Sequence, residues 1–590
     1  MAAPTHRLPR GPVWAMVSLF ATMSCGTPGP DEVPSPEASH DDLPVVDQLV
    51  RASVALRGLR PSPDDVARVS ADPASLTAII EGYVEEEAFA ETLADMHAQQ
   101  LMLRADTVPK LRLPQVGPMK GFPMGASQPA EQEWPLQLVR HVARNDLPYT
   151  EVVTADYTFS NEIIATAYGL PFDPVGPMEP GGWQKVAWHD GRPGAGLLSE
   201  TSVWRRHVSN GANFNRLRAD VIADRLLCDP IGGRDVSIEG SIAVSDPEEV
   251  ADAVSNQPEC VACHQALDPL GGFFWGFKPQ IAKASITIAY DSDCGERPVP
   301  GWQYSGDVAD YCYPLKTYNP EWEGDWADWG LRPPNYYGEP ATYLDDLGVL
   351  VADDPRFATC TVRRFYSWFA QVHVDDVPFE VVEPLTEAFV DGGWSTRDLA
   401  LAIVSLPSFR RADEDGLGLL ATRPEQYART VTELTGYRWL GEVDDGECKL
   451  CWGEVDLARS ALHGYRTVAG STDDDNILVP THTTTPMKWL TVTVFAQGAA
   501  GHAVAEAREG RLSWLDPSIS DDDDARAQIA DLFLRVLSAE VDPDAPEVDE
   551  LLDLFRTAAS SDGSDGGSEA AAGWTAVLTA LLLDPRMMLH

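Results

Sequence analysis

Five consecutive residues, Cys260-Val261-Ala262-Cys263-His264, have the types and spacing for covalent cofactor chemistry. C-x-x-C-H is the attachment signature of c-type haem: the two thiols add to the porphyrin vinyl groups, and the histidine becomes the proximal iron ligand. Two intervening residues put both sulfurs near one haem edge, and the adjacent histidine turns its ring under the iron. Other chemistries compete for the same thiols. A redox-active C-x-x-C needs a thioredoxin-like βαβ context, which the surrounding sequence does not show. A structural zinc needs a second ligand pair, which Cys448 and Cys451 nominally supply. A plain disulfide is the last alternative. The pattern favours one covalent haem c on Cys260, Cys263 and His264.

The sixth iron position decides what such a haem does. Small electron-transfer cytochromes place a methionine there, which raises the potential. After His264 the next methionine is Met487, far beyond the expected reach. Met178 lies upstream in a Gly/Pro-rich segment and is one candidate. His207, in Trp204-Arg205-Arg206-His207, is the leading distal candidate, set against the ordinary role of a core or surface histidine. An open sixth position is the third arrangement.

The amino terminus gives the same chemistry a compartment, because c-type haem is attached outside the cytoplasm. Arg7 and Arg10 precede a mostly apolar stretch from Gly11 to Ser24, the layout of a secretory signal. It is too short for a bilayer span and ends in Thr22-Met23-Ser24-Cys25-Gly26, which resembles a bacterial lipoprotein cleavage box. Residues 26–43 are rich in Pro, Ser, Glu and Asp and read as a disordered tether. The expectation is a signal peptide over residues 1–25, an acylated Cys25, and a cell-envelope protein held to the membrane by that lipid anchor only. Ordinary secretion with Cys25 removed is the alternative.

Composition narrows the remaining classes. The 590 residues are 44% apolar, enough for real cores, and carry 44 Lys and Arg against 91 Asp and Glu, a formal charge of −47. So acidic a surface repels phosphate backbones, and nucleic acid is not expected as a partner. The run Asp521 to Asp524 precedes a helical pattern, where carboxylates favour the positive helix end. Neither it nor Asp473 to Asp475 has the spacing of an EF-hand loop. Cys228, Cys294, Cys312, Cys360, Cys448 and Cys451 remain once Cys25 and the haem pair are set aside. Six cysteines allow fifteen pairings, and sequence alone does not choose among them. Proximity suggests Cys294 with Cys312 and Cys448 with Cys451, leaving Cys228 with Cys360. In an envelope protein disulfides are the default reading.

Most periodic segments are helical. Val46 to Leu59 and Leu76 to Leu101 carry apolar residues at three- and four-residue spacing, with Pro61 and Pro63 between them. A module of helices around Trp394, closing at Leu406-Pro407, recurs around Trp574, closing at Asp584-Pro585. Residues 54–96 look like a weaker third copy. These tryptophans read as core anchors rather than ligand contacts. The expected fold is mainly α and multidomain, with repeated helical modules flanking a haem segment and an aromatic-rich irregular insertion. The expected units are an N-terminal helical module over 44–115, a middle domain over 134–229, a haem segment over 230–345, a helical module over 346–412, and a C-terminal region over 418–590.

The texture between the modules is particular. Leu147-Pro148-Tyr149-Thr150 leads through Thr154-Ala155-Asp156-Tyr157-Thr158-Phe159 to Pro171, and Gly196-Leu197-Leu198-Ser199 and Leu226-Leu227-Cys228-Asp229-Pro230 follow. Asp268-Pro269-Leu270-Gly271 stands after His264, and Asp354-Pro355-Arg356-Phe357-Ala358-Thr359-Cys360 begins the stretch ending at Phe409. Over roughly residues 135–410 this order resembles a family of large exported bacterial proteins carrying Planctomycete-type cytochrome c domains. The resemblance implies a c-type haem, an envelope location and a Cys228–Cys360 disulfide, and it implies no substrate. Similar proteins carry a histidine at the place of His207, with an arginine nine residues later, here Arg216.

This chain departs from that family after the haem motif, where members usually have a short aromatic-basic segment. Here Lys278 to Tyr343 is a long insertion, with ten Trp or Tyr residues between Trp302 and Tyr337. Such aromatics stack on a carbohydrate or protein ligand, or they make the core of a disulfide-stapled loop. The functional expectation is electron transfer through covalent haem, with the redox partner unspecified. A haem-dependent peroxidase or oxidase, and a polymer- or partner-binding lipoprotein with accessory haem, are the alternatives. No hydrolase nucleophile motif is present.

Overall fold

The computed structural model describes residues 42–104, 113, 117–123, 126–207, 213–234, 247–277, 303–304, 307–308, 313–329, 331–412, 416–442, 454–457, 470, 485–561 and 567–590. Helix dominates these residues, and the strands are two- to four-residue pieces in two-stranded antiparallel ladders. The mainly α expectation holds. The longest ladder pairs Tyr157–Ser160 with Gln184–Ala187. Cys25, the signal, the tether up to residue 41, Cys294, Cys312, Cys448, Cys451 and Asp473 to Asp475 all lie outside the described residues, and the last tether residue, Leu43, donates its N–H to the Arg410 carbonyl at 2.9 Å. Among the described residues no helix is long and apolar enough to cross a membrane.

Residues 42–590 form one compact unit with two apolar cores. The larger draws side chains from Leu49 to Leu420, so the N-terminal helices, the middle region, the helix carrying His264 and the helices after Leu344 all fill it together. The smaller runs from Tyr427 to Met588. The helix Pro424–Thr435 stands in the seam. Its Tyr427 and Val431 belong to the second core, while its polar side chains face the first. Gln426 donates to the Val54 carbonyl (3.0 Å), Arg429 to that of Arg57 (2.7 Å) and Thr430 to that of Gly58 (3.1 Å).

The repeated helical order is visible. Pro355–Ala370, Phe379–Asp391, Thr396–Val404 and Pro407–Arg410 are matched by Asp522–Leu537, Pro546–Ser561, Gly567–Leu582 and Pro585–Met588. The first helix of each set stops at a left-handed residue, Gln371 or Ser538. The two tryptophans are core anchors at different places. Trp394 sits in the turn before a helix and packs on Phe357 and Phe389. Trp574 lies inside its helix, fully buried, and donates to the Ile519 carbonyl at 3.0 Å. Asp521 caps Asp522–Leu537 by accepting from the backbone of Asp523 and Asp524, so that acid run has a local structural role.

Candidate functional site

Cys260, Cys263 and His264 stand on the helix Pro258–Gly272. Pro258 suits the first turn, where its missing N–H is no loss, and Glu259 complements the positive helix end. The carboxyl-terminal half anchors the element: Leu270 is fully buried, and Phe273, Phe274 and Phe277 continue into the core. Phe274 packs edge-on against Trp204, at 4.7 Å between rings. The amino-terminal half is shallower. Cys260 and Cys263 are half-buried free thiols one helical turn apart, and the Cys263 sulfur lies 3.8 Å from the Ile231 carbonyl.

His264 Nδ1 lies 3.0 Å from Asp268 Oδ1, one turn further along. A carboxylate only accepts, so Nδ1 carries the proton and donates, which leaves Nε2 as the nitrogen available to a metal. The same Oδ1 accepts from Arg216 Nε at 2.6 Å. Asp268 is almost completely buried, while His264 keeps about a quarter of its side-chain exposure (23%). Burial pushes the Asp268 carboxyl up. Hydrogen bonds from His264 and Arg216, with the charges behind them, outweigh that and hold it below the ordinary carboxylate range.

The Asp268-Pro269-Leu270-Gly271 motif has a packing reason. A Cβ on Gly271 would fall 2.8 Å from the Phe214 carbonyl oxygen, so only glycine lets this helix approach the turn before Arg216. That turn is unusual in itself: Phe214 and Asn215 both take left-handed backbone angles, φ 46° and 65°. Two consecutive non-glycine residues in that region hold a conformation that tertiary contacts must impose. The helix Arg216–Val221 starts there, and its first residue reaches Asp268.

Beyond that helix a wide π-turn, Ile222–Leu226, leads to Cys228, which is bonded to Cys360 in Pro355–Ala370. The bond ties the strand of chain reaching Ile231, and hence the neighbourhood of Cys263, to the main core. Among the sequence candidates, the structure thus gathers Cys260, Cys263, His264, Arg216 and Asp268 around one helix. His207 follows Thr201–Arg206; its carbonyl accepts from Arg218 (3.1 Å), and its ring lies 6.4 Å from Trp204. Met178 stands exposed in its loop. Several aromatics of the insertion are structural: Tyr318 packs on Phe277 and donates to Glu323, and Tyr336 donates to Asp354.

Two features were not read from the sequence. The pairing of Asp268 with His264 had a signal in its four-residue helical spacing. The second had none: Glu200 is buried inside the middle region, where Thr158 donates to it while Trp134 donates to Thr158. Burial pushes the Glu200 carboxyl up to about 8, helped by the charge of Glu131 and opposed by Thr158 and Arg192. Protein-family models, curated proteins and solved structures were all compared with the chain, and none matches it.

Proposed function

We propose that this chain is a cell-envelope, mono-haem c-type cytochrome-like protein, lipid-anchored through Cys25, that passes single electrons to or from a redox partner. The observation that carries the proposal is the His264–Asp268 hydrogen bond. It fixes the tautomer and ring of the histidine in the attachment motif and leaves Nε2 as the nitrogen that would bind iron. Cys260 and Cys263, free thiols on the same helix, would hold the porphyrin edge, and His264 would ligate iron from one side. When bound, haem supplies reversible one-electron chemistry. The chain's own part is to seat the attachment helix through Leu270 and Phe274 and to orient His264.

Protein produced with a c-haem maturation system should carry haem that survives a denaturing gel, and Cys260→Ala with Cys263→Ala should abolish the stain. A stained double variant, or an unstained wild-type protein, refutes the proposal. The buried carboxylate behind His264 also favours a second reading. A more basic proximal histidine suits an iron with an open sixth position and oxidase- or peroxidase-type chemistry. Cyanide and carbon monoxide binding separates the two: a six-coordinate carrier resists both, and an open site takes them readily.

A further inference from the structure

We infer that Arg216, a positioning residue acting through Asp268, sets the electron affinity of an iron bound to His264; the inference rests on the haem reading above. The geometry is a competition at one atom. His264 Nδ1 and Arg216 Nε both bond to Oδ1 of Asp268, at 3.0 and 2.6 Å. A proximal histidine that donates to a carboxylate gains imidazolate character and becomes a stronger electron donor. Ferric iron carries one more positive charge than ferrous iron, so a stronger donor favours the ferric form and lowers the potential. Asp268 alone would push in that direction. Arg216 withdraws part of the same oxygen's charge and moderates the push.

Burial makes the effect large. The Asp268 side chain is 5% exposed and that of Arg216 19%, so water screens neither contact well. The close approach at Gly271 and the left-handed backbone at Phe214 and Asn215 bring the guanidinium to this carboxylate. A surface ion pair would need neither.

The two partners therefore have opposite signs, which a merely structural role would not produce. In full-length, haem-loaded protein, Asp268→Asn should favour reduction by about tenfold or more, a rise of about 59 mV for one electron. Arg216→Gln should shift the potential the other way, with Arg216→Lys between it and the wild type. If the sixth position is open, the ferrous iron–histidine stretch in resonance Raman spectra should weaken in Asp268→Asn and strengthen in Arg216→Gln. Should Asp268→Asn fail to fold, the downward shift in Arg216→Gln decides alone. Shifts of the same sign, or none in variants that still hold haem, overturn the inference and leave the haem assignment standing. A wild-type chain without haem stain overturns both.

Discussion

Replacing Cys228 and Cys360 together by serine removes a covalent link that spans 132 residues. In the chain-entropy description, closing a loop of that length takes about 5 kcal/mol of freedom from the unfolded chain, the upper end for single disulfides. That is comparable to the whole net stability of many domains. Serine isolates this effect. Cys228 already holds a left-handed backbone (φ 52°), and serine meets the same backbone cost there. Cys360 is 1% exposed, and a serine hydroxyl there can still donate to the Arg225 carbonyl that its sulfur faces. Urea unfolding of the full chain, followed by tryptophan fluorescence, reads the outcome. The double variant should lose about 5 kcal/mol, and its denaturant slope should rise because the unfolded chain is no longer looped. A loss below about 1 kcal/mol with an unchanged slope would refute the reasoning. A large loss with an unchanged slope would assign the cost to native packing instead.

Two further outcomes come from the middle region. Glu200 is neutral when folded, so its contribution to stability is full below the ordinary glutamate range and is lost as pH rises toward about 8. Glu200→Gln should leave the unfolding free energy from urea titration nearly unchanged at pH 5 and raise it at pH 9, by up to about 4 kcal/mol at about 1.4 kcal/mol per pH unit; an equal effect at both pH values refutes the assignment. A Cβ on Gly348 would fall 2.2 Å from the Val153 carbonyl oxygen, against backbone that has no rotamer to yield. Gly348→Ala should therefore lower the thermal midpoint, costing about 1–3 kcal/mol, and an unchanged midpoint contradicts the packing described for the helix Leu344–Asp353.

Helical periodicity and punctuation were legible because they are local. Asn161 opens the helix Glu162–Tyr168 and Gly169 closes it in left-handed conformation, and Asp521 caps Asp522–Leu537, each within a few residues of the groups it serves. The attachment motif was legible for the same reason. What escaped depends on residues far apart in sequence. Arg216 and Asp268 are separated by 52 positions, and nothing in either segment names the other. Glu200 resembles any surface glutamate until the fold buries it against Thr158, itself held by Trp134. The shared core was hidden likewise, because amphipathic stripes say that a helix packs without saying against what.

The helix Pro424–Thr435 has a consequence for how this chain can be divided. Changes of texture near residues 412–418 invite a cut there that would exchange the carboxyl-terminal region as a cassette. Two carbonyls of the first core, Arg57 and Gly58, take their donors from beyond that cut, and Val54, already bonded to the Gly58 N–H, takes a second donor from there. Losing each of these bonds costs about 0.5–1.5 kcal/mol, so the cut removes several kcal/mol from the part that keeps His264. The carboxyl-terminal region is thus a permanent lodger in the architecture, and any shortened descendant must first supply new donors for Arg57 and Gly58.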